Sequence, residues 1–263
     1  MSAAALVLVL ASAFLHAGWN ALVAGAEDTH ATAAVAMLTG VAVFALPAAL
    51  TWRVEAEAWP YIGGSAVLEL AYFALLAAVY ARADYSFAYP VARGAAPVIV
   101  LIISIVALGA DLSALAVIGI LAVTGGVLLV RGVGDDTPDA LSVGLALAVG
   151  ACIAGYTLVD DHGVEHAAPI PYFVLVLGLS AIPYALVIGP QRLRAATDRR
   201  SLPAGAGMAA AYILVLAALE RAPAAPVAAL RESSVLLAGA GGGRRRLVGS
   251  ALVALGIAAV VFG

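Results

Sequence analysis

Charged side chains are rare in this sequence, and several of them lie inside long apolar runs. Only 11% of the residues are charged, against roughly a quarter in soluble domains. The polar groups inside the runs are Glu69, Arg93, the pair Arg231-Glu232, and His16 with Asn20. Inside a membrane an ionised side chain costs on the order of 2.5 to 3.5 kcal/mol, so each of these groups requires a partner or a function.

Aromatic residues accompany these groups at helical spacing. Residues three or four positions apart share one face of a helix, so phenol rings and a guanidinium can lie together. Fixed cations and aromatic rings suit an anionic, zwitterionic or aromatic small molecule, which they bind by charge pairing and stacking. The predicted substrate-binding residues are Arg93, Arg231, Tyr89, Tyr85, Trp19 and Tyr72. The predicted polar network consists of Glu69, Glu232, His16 and Asn20.

The charged residues also have structural interpretations. Arg231 could pair with Glu232 or with Glu69, and Arg93 could extend toward the membrane interface. Glu69 is either a proton-coupling carboxylate or a structural counter-ion to Arg93, and the sequence favours neither. The hypothesis that the two arginines bind substrate therefore depends on which carboxylates they meet.

Two further polar groups are given structural interpretations. For His16 and Asn20, a hydrogen bond between helices is favoured over contact with a substrate. Residues 160–166 hold aspartate, glutamate and histidine, which are metal-ligand types. No convincing further ligand lies elsewhere in the sequence, so this segment is predicted to be a solvated polar turn. We predict no metal site and no cofactor.

The elements that must position these residues are membrane-spanning helices. The mean hydropathy is +1.08 and 64% of the residues are hydrophobic, while one span needs ~20 apolar residues. The sequence therefore predicts an all-α integral membrane protein that crosses the lipid bilayer about ten times. The predicted spans are residues 3–24, 31–51, 59–81, 87–108, 112–130, 141–159, 170–188, 203–219, 226–243 and 247–263.

Two stretches of the first half recur in order in the second half. Residues 10–20 align with residues 147–157, sharing Leu-Ala and Ala-Gly-aromatic, and residues 71–78 align with residues 211–218. Because five is an odd number of crossings, a five-span unit followed by its own copy places the copy in the membrane in the opposite orientation. This inverted repeat is the architecture of many secondary transporters.

The repeat divides the chain at an acidic turn and pairs two of the candidate residues. We predict two five-helix domains, residues 1–134 and residues 139–263. Arg93 and Arg231 then occupy equivalent positions. A pseudo-two-fold axis in the membrane plane would bring the two arginines toward each other across a central cavity.

Signatures of enzymes and of nucleic-acid binding are missing from the sequence. It contains no Gly-x-Ser-x-Gly elbow, no His-Glu-x-x-His, no phosphate-binding loop and no dinucleotide fingerprint, so we predict that it is not an enzyme. Without an ATP-binding element, pumping would use an ion or substrate gradient, and a coupling proton is a candidate partner. A net charge of −3 argues against nucleic-acid partners. A homo-oligomer is compatible with the sequence.

Three short segments, at residues 15–22, 89–97 and 229–236, carry a family resemblance. They resemble the drug/metabolite transporter superfamily, specifically its bacterial EamA-like ten-helix branch. Together with the repeat, the resemblance extends over nearly the whole chain. It implies a secondary transporter, commonly an exporter of small metabolites such as amino acids, in the bacterial cytoplasmic membrane.

The second copy departs from the family pattern in its fourth span. Between Arg231 and Gly249 it is about two helical turns shorter than the first copy is between Arg93 and Gly119. Glycine, which costs about 1 kcal/mol against Ala in a helix interior, is frequent in what remains, so we predict a shortened ninth helix. The alternative hypothesis is a non-transporting degenerate homologue or a membrane partner subunit. A membrane-embedded enzyme has little support.

The loop arginines give an orientation that conflicts with the family. Most of them fall on one alternate set of loops, whereas Arg53 and Arg221 fall on the other. The positive-inside rule then places both termini outside. The resemblance to EamA-like proteins instead implies that both termini are cytoplasmic.

Overall fold

The structure is a computed structural model of the 263-residue chain. It describes residues 1–23, 26–80, 82–83, 85–131, 139–234 and 244–263. The described residues form eleven helices and no named strand. The helices are α1 (Ala3–Val23), α2 (Thr29–Leu50), α3 (Ala58–Tyr80), α4 (Tyr85–Val106), α5 (Ala114–Arg131), α6 (Ala140–His166), α7 (Pro169–Ile188), α8 (Pro190–Ala196), α9 (Ser201–Leu219), α10 (Ala224–Arg231) and α11 (Arg244–Phe262).

Seven of the described helices are long and apolar enough to cross a membrane, namely α1, α2, α3, α4, α6, α7 and α9. Helices α5 and α11 contain shorter apolar stretches, Ala114–Val130 and Leu247–Phe262. Helix α10 covers only the start of the predicted ninth span and is followed by residues 232–234, and residues 235–243 of that span lie outside the described residues. The protein is therefore a helical protein of the multi-pass membrane type, and the ten spans stay a prediction.

Large apolar side chains cover the outer surface of the helices. Leu50 is 77% exposed, Val187 83% and Phe262 84%. Soluble monomers rarely expose contiguous apolar patches larger than a few hundred Å². This surface fits contact with lipid, as the all-α membrane class predicts.

The predicted polar turn at residues 160–166 is wrong, because α6 continues to His166. Asp160 is 1% exposed, and Ser65 of α3 and Tyr172 of α7 donate hydrogen bonds to its Oδ1 atom. A buried carboxylate is tolerated when neighbouring elements supply donors. The prediction used local polarity alone and could not include donors from other helices.

Helices of the first predicted domain pack mainly on helices of the second. The principal neighbours are α5 with α11, α3 with α6, α1 with α9, and α2 with α7. Helix α4 packs on α5 and α6, and α10 contacts α4. The centre of the molecule is therefore lined by elements from both halves.

Helices α5 and α11 approach each other at four glycines. A Cβ atom added to Gly126 would lie 2.6 Å from the Gly249 carbonyl oxygen, and one added to Gly249 would lie 2.8 Å from the Gly126 carbonyl oxygen. Gly119 and Gly256 form a second reciprocal pair, at 2.7 and 2.6 Å. Small residues at a helix interface allow such close backbone approach in membranes.

The loops at the two ends of α2 are tied to loops of the second half. Beyond its C-terminal end, the Glu55 backbone N–H donates to the His166 carbonyl oxygen at 2.9 Å. Before its first turn, Asp28 accepts a hydrogen bond from the Ala31 backbone N–H and forms a two-atom ion pair with Arg192, at 2.8 and 3.0 Å. The hydrogen bond from Arg192 holds the pKa of the Asp28 carboxyl below its ordinary value.

Candidate functional site

A cavity of about 140 Å³ lies between helices of the two predicted domains. Its wall is built from α1, α2, α3 and α4 of the first half and from α6, α7, α9 and α10 of the second. An apolar cavity of roughly 150 Å³ in another protein holds benzene, so the space here suits a group of that size. The polar and ionisable lining residues are Ser12, His16, Asn20, Glu69, Tyr72, Tyr89, Arg93, Tyr156, Tyr212 and Arg231.

Aromatic rings make up much of the cavity wall. Tyr72 and Phe73 meet edge to face with ring centroids 5.0 Å apart, and Phe173 meets Tyr212 in the same way at 5.6 Å. Edge-to-face packing stabilises aromatic pairs and leaves ring faces available to a third ring. The cavity can therefore contact an aromatic or apolar substituent.

Arg93 is neutralised by Glu232. Its Nε atom donates a hydrogen bond to Glu232 Oε2 at 3.1 Å, and its Nη2 atom lies 2.9 Å from Oε1 without the angle of a hydrogen bond. The two side chains are 7% and 3% exposed. Glu232, rather than Glu69, is thus the carboxylate that pairs with Arg93. The Tyr89 ring centroid lies 6.0 Å from the guanidinium carbon, at the outer limit of a cation–π contact.

Arg231 has a different environment from Arg93. It is half-buried in the cavity wall, and it interacts with the Tyr156 hydroxyl. Among the described residues it forms no ion pair with a carboxylate within 4.0 Å. Of the alternatives that the sequence left open, the pairing of Arg231 with Glu232 is not seen, because Glu232 pairs with Arg93. The Arg231 side chain lines the cavity.

Glu69 is held by donors from other helices. It is 7% exposed, and Ser180 of α7 donates a hydrogen bond to its Oε2 atom at 2.9 Å. The Tyr212 hydroxyl also interacts with this carboxylate. Glu69 therefore lies in the cavity wall with an environment separate from the Arg93–Glu232 pair.

Asp160 lies behind the cavity wall and is connected to it by one phenol. Tyr212, which lines the cavity, donates a hydrogen bond to Asp160 Oδ2 at 2.7 Å. Ser65 and Tyr172 donate to Oδ1 at 2.6 and 3.0 Å. The carboxylate thus receives three hydroxyl donors, which is the arrangement expected around an acceptor-only group.

The structure brings most of the predicted residues to this cavity. Its lining includes His16, Trp19, Asn20, Glu69, Tyr72, Tyr89, Arg93 and Arg231. Asn20 donates its side-chain hydrogen bond to the His16 carbonyl oxygen at 2.7 Å, within α1, rather than to another helix as predicted. The His16 ring meets Trp19 edge to face at 5.1 Å. The side chain of Tyr85 lies outside the described part of the structure.

Several lining residues were missed by sequence reasoning, although the repeat could have found two of them. Tyr156 aligns with Trp19, and Tyr212 aligns with Tyr72, in the stretches that recur in the second half. All four line the cavity. Asp160, which lies behind the cavity wall, carried no such signal, because the residues that donate hydrogen bonds to it lie on other helices.

Comparisons with known proteins show similarity at the level of the fold. No family model and no curated protein matches the chain. One solved structure, described only as "Crystal structure of protein", is similar with a TM-score of 0.79, covering 100% of this chain and 98% of that one. The two sequences are 16% identical. The similarity shows a shared fold over the whole of this chain and nearly the whole of the other.

Proposed function

We propose that the protein is a secondary transporter of small zwitterionic or anionic metabolites, with amino acids that carry an aromatic or apolar side chain as the best-fitting class. The substrate binds in the central cavity between two inverted five-helix repeats, an arrangement common among secondary transporters. The observation that carries this proposal is a cavity lined by equivalent positions of both halves. The resemblance to EamA-like proteins supports export across a bacterial cytoplasmic membrane.

The lining residues support the inverted repeat. A two-fold axis in the membrane plane exchanges equivalent residues of the two halves, so both members of a pair should face a cavity that lies on the axis. Three pairs meet this condition: Trp19 with Tyr156, Tyr72 with Tyr212, and Arg93 with Arg231.

The interface between α5 and α11 supports the same symmetry independently of the cavity. The sequence makes Gly119 equivalent to Gly249, and the same offset makes Gly126 equivalent to Gly256. If each glycine is replaced by its equivalent in the other half, the contact of Gly119 with Gly256 becomes the contact of Gly249 with Gly126. The structure contains both contacts. This reciprocity is what a two-fold axis between the two helices requires.

The charges in the cavity favour a substrate with a carboxylate. The Arg93 charge is already balanced by Glu232, so Arg231 is the cation available to a ligand in the described part of the site. A guanidinium can bind a carboxylate through two parallel hydrogen bonds. An ammonium group on the same substrate can pair with Glu69, which also lines the cavity.

A buried donor in the wall indicates where a further acceptor atom can bind. Trp19 Nε1 is buried, and no hydrogen-bond acceptor for it lies within the described residues. Buried polar groups in native structures are nearly always paired, and a ligand is one way to satisfy them. The indole N–H therefore suits an acceptor atom of the substrate.

The proposal is tested by flux of labelled phenylalanine in proteoliposomes that contain the full chain. Arg231→Gln should lower the transport rate at subsaturating substrate by about ten- to a hundredfold, because a hydrogen bond to a charged group contributes about 1.5–3 kcal/mol. The matched control is Arg221→Gln, which changes an exposed arginine paired with Glu220 outside the cavity and should leave flux unchanged. Equal flux for Arg231→Gln and the unaltered protein would contradict the cavity hypothesis. A folded protein with no flux of any metabolite would favour the non-transporting subunit.

A further inference from the structure

Among the described residues, the ionisable groups at the centre of the molecule do not balance in charge. Arg93 and Glu232 neutralise each other. This leaves Glu69 and Asp160, both buried, with Arg231 as the cation that acts on both of them. Two ionised carboxylates and one guanidinium would give the membrane interior a net negative charge. One bound proton restores neutrality, because it leaves one carboxylate, one carboxylic acid and one guanidinium.

In the described part of the structure, the Tyr212 phenol interacts with both carboxylates. The Tyr212 hydroxyl donates to Asp160 Oδ2 at 2.7 Å and interacts with Glu69. A hydroxyl can accept a proton on its oxygen while it gives up its own, so a phenol between two carboxylates can pass a proton in either direction. Other titratable groups that face the two carboxylates are Tyr156 and Asp161 of α6, Tyr172 of α7 and Arg231 of α10.

We propose that Glu69, Tyr212 and Asp160 form a relay that binds one exchangeable proton, and that the occupant of the cavity decides which carboxylate holds it. The first part rests on the contacts and charges alone. The second part rests on the proposed function, because it assigns the ammonium group of a substrate to Glu69.

The transfer conserves atoms and charge. The O–H bond of protonated Glu69 breaks, and its proton forms a bond to the Tyr212 oxygen. The original Tyr212 O–H bond breaks at the same time, and that proton bonds to Asp160 Oδ2. Glu69 becomes the anion, Asp160 becomes the acid, and Tyr212 stays neutral. An ammonium group beside Glu69 favours this state, because it pairs with the anion.

The position of the relay gives the transfer a direction. Glu69 and Tyr212 line the cavity, whereas Asp160 is not among its lining residues and lies nearer the C-terminal end of α6. Substrate binding therefore moves the proton out of the cavity wall. The proton returns to Glu69 when the ammonium group leaves.

The proton is detected by infrared difference spectroscopy of the full chain in lipid, in the region where protonated carboxyl groups absorb. We expect one such carboxyl at neutral pH without substrate, lost on alkaline titration. Glu69→Gln and Asp160→Asn should each remove its band, because Arg231 then balances the remaining carboxylate. Arg231→Gln should double the band, because both carboxyls must then be protonated.

Control variants separate the relay from general damage to the protein. Glu165→Gln changes an exposed carboxyl on the same helix, α6, and should leave the band unchanged. Glu69→Asp keeps a carboxyl in place and should retain the band if the protein is folded. An absent band in the unaltered protein, or a band in Glu69→Gln or Asp160→Asn as strong as that of the unaltered protein, would overturn the proposal.

Substrate dependence is tested with phenylalanine as the probe. Its addition should shift the band from the glutamic acid to the aspartic acid frequency, and Tyr212→Phe should abolish the shift while it keeps the band. A phenylalanine-induced shift that persists in Tyr212→Phe would remove the phenol from the relay. If phenylalanine neither binds nor is transported, while the substrate-free bands behave as expected, the proton site stands and the proposed function fails.

Discussion

The ion pair between Arg93 and Glu232 should be far more sensitive to the loss of one partner than the pair between Arg192 and Asp28. The closest nitrogen–oxygen distances are nearly equal, 2.9 Å and 2.8 Å. The side chains of the first pair are 7% and 3% exposed, and those of the second are 53% and 36% exposed. Because water screens the second pair far more than the first, burial rather than distance sets the energetic difference.

The expected magnitudes follow from this difference in burial. Glu232→Gln preserves shape but leaves the Arg93 charge buried without a counter-ion, which should destabilise the fold by about 3–5 kcal/mol. Asp28→Asn removes an exposed pair and should cost about 0–1 kcal/mol. Asparagine also keeps the hydrogen bond to the Ala31 backbone N–H, because it caps helices about as well as aspartate. The second variant is therefore a matched control for the first.

The assay is reversible unfolding of the full chain in mixed micelles, with the free energy of unfolding compared among variants. The double variant Arg93→Gln/Glu232→Gln should recover most of the stability lost by Glu232→Gln, because no unpaired charge remains in the interior. A loss for Glu232→Gln no larger than that for Asp28→Asn would refute the reasoning. A double variant as unstable as the single one would refute it as well.

Two other predictions concern the helix interface and the loop ion pair. Gly126→Ala should lower the free energy of unfolding by about 1–3 kcal/mol because its Cβ would lie 2.6 Å from the Gly249 carbonyl oxygen, whereas Gly125→Ala, which has no atom within 4 Å, should raise it by up to about 1 kcal/mol. Equal free energies of unfolding for the two variants would contradict the close packing of α5 on α11 at Gly126. Arg192 lowers the pKa of Asp28 below the ordinary value of 3.8. The ion pair between them therefore contributes to stability above that pH, and this contribution disappears as the pH falls through the pKa of Asp28 in the folded protein. The stability difference between the unaltered protein and Asp28→Asn should therefore shrink in acid, and a difference that grows in acid would contradict this sign.

The sequence predicts the helical membrane class and most of the charged lining, because both depend on local properties. A glutamate or arginine inside an apolar run requires a partner or function wherever the helix lies, which is why the sequence alone suffices to select Glu69, Arg93 and Arg231. The pairing of these charges could not be predicted. Which carboxylate meets Arg93 depends on the rotation of α4 and α10 about their axes, and the sequence leaves that rotation open.

Asp160 is a residue whose secondary structure could not be predicted from its neighbours in the sequence. Its neighbours in the sequence are polar, so the local pattern indicates a turn. Its donors, Ser65, Tyr172 and Tyr212, come from α3, α7 and α9, and only the packed structure brings them to one carboxylate. Local polarity therefore predicts a loop where long-range hydrogen bonds allow a helix.

The reciprocal glycines of α5 and α11 have the geometry of a symmetric dimer interface, although both helices belong to one chain. In a symmetric dimer interface each subunit contributes the same patch of residues. A single five-helix half would therefore carry, on its own fifth helix, both of the glycines that take part in each contact. On the proposed repeat, two such halves in opposite orientations could associate without any new residue. Covalent linkage would then allow the two copies to diverge, as the two arginines of the proposed repeat do. Arg93 is neutralised by Glu232, while its counterpart Arg231 keeps its charge for the cavity.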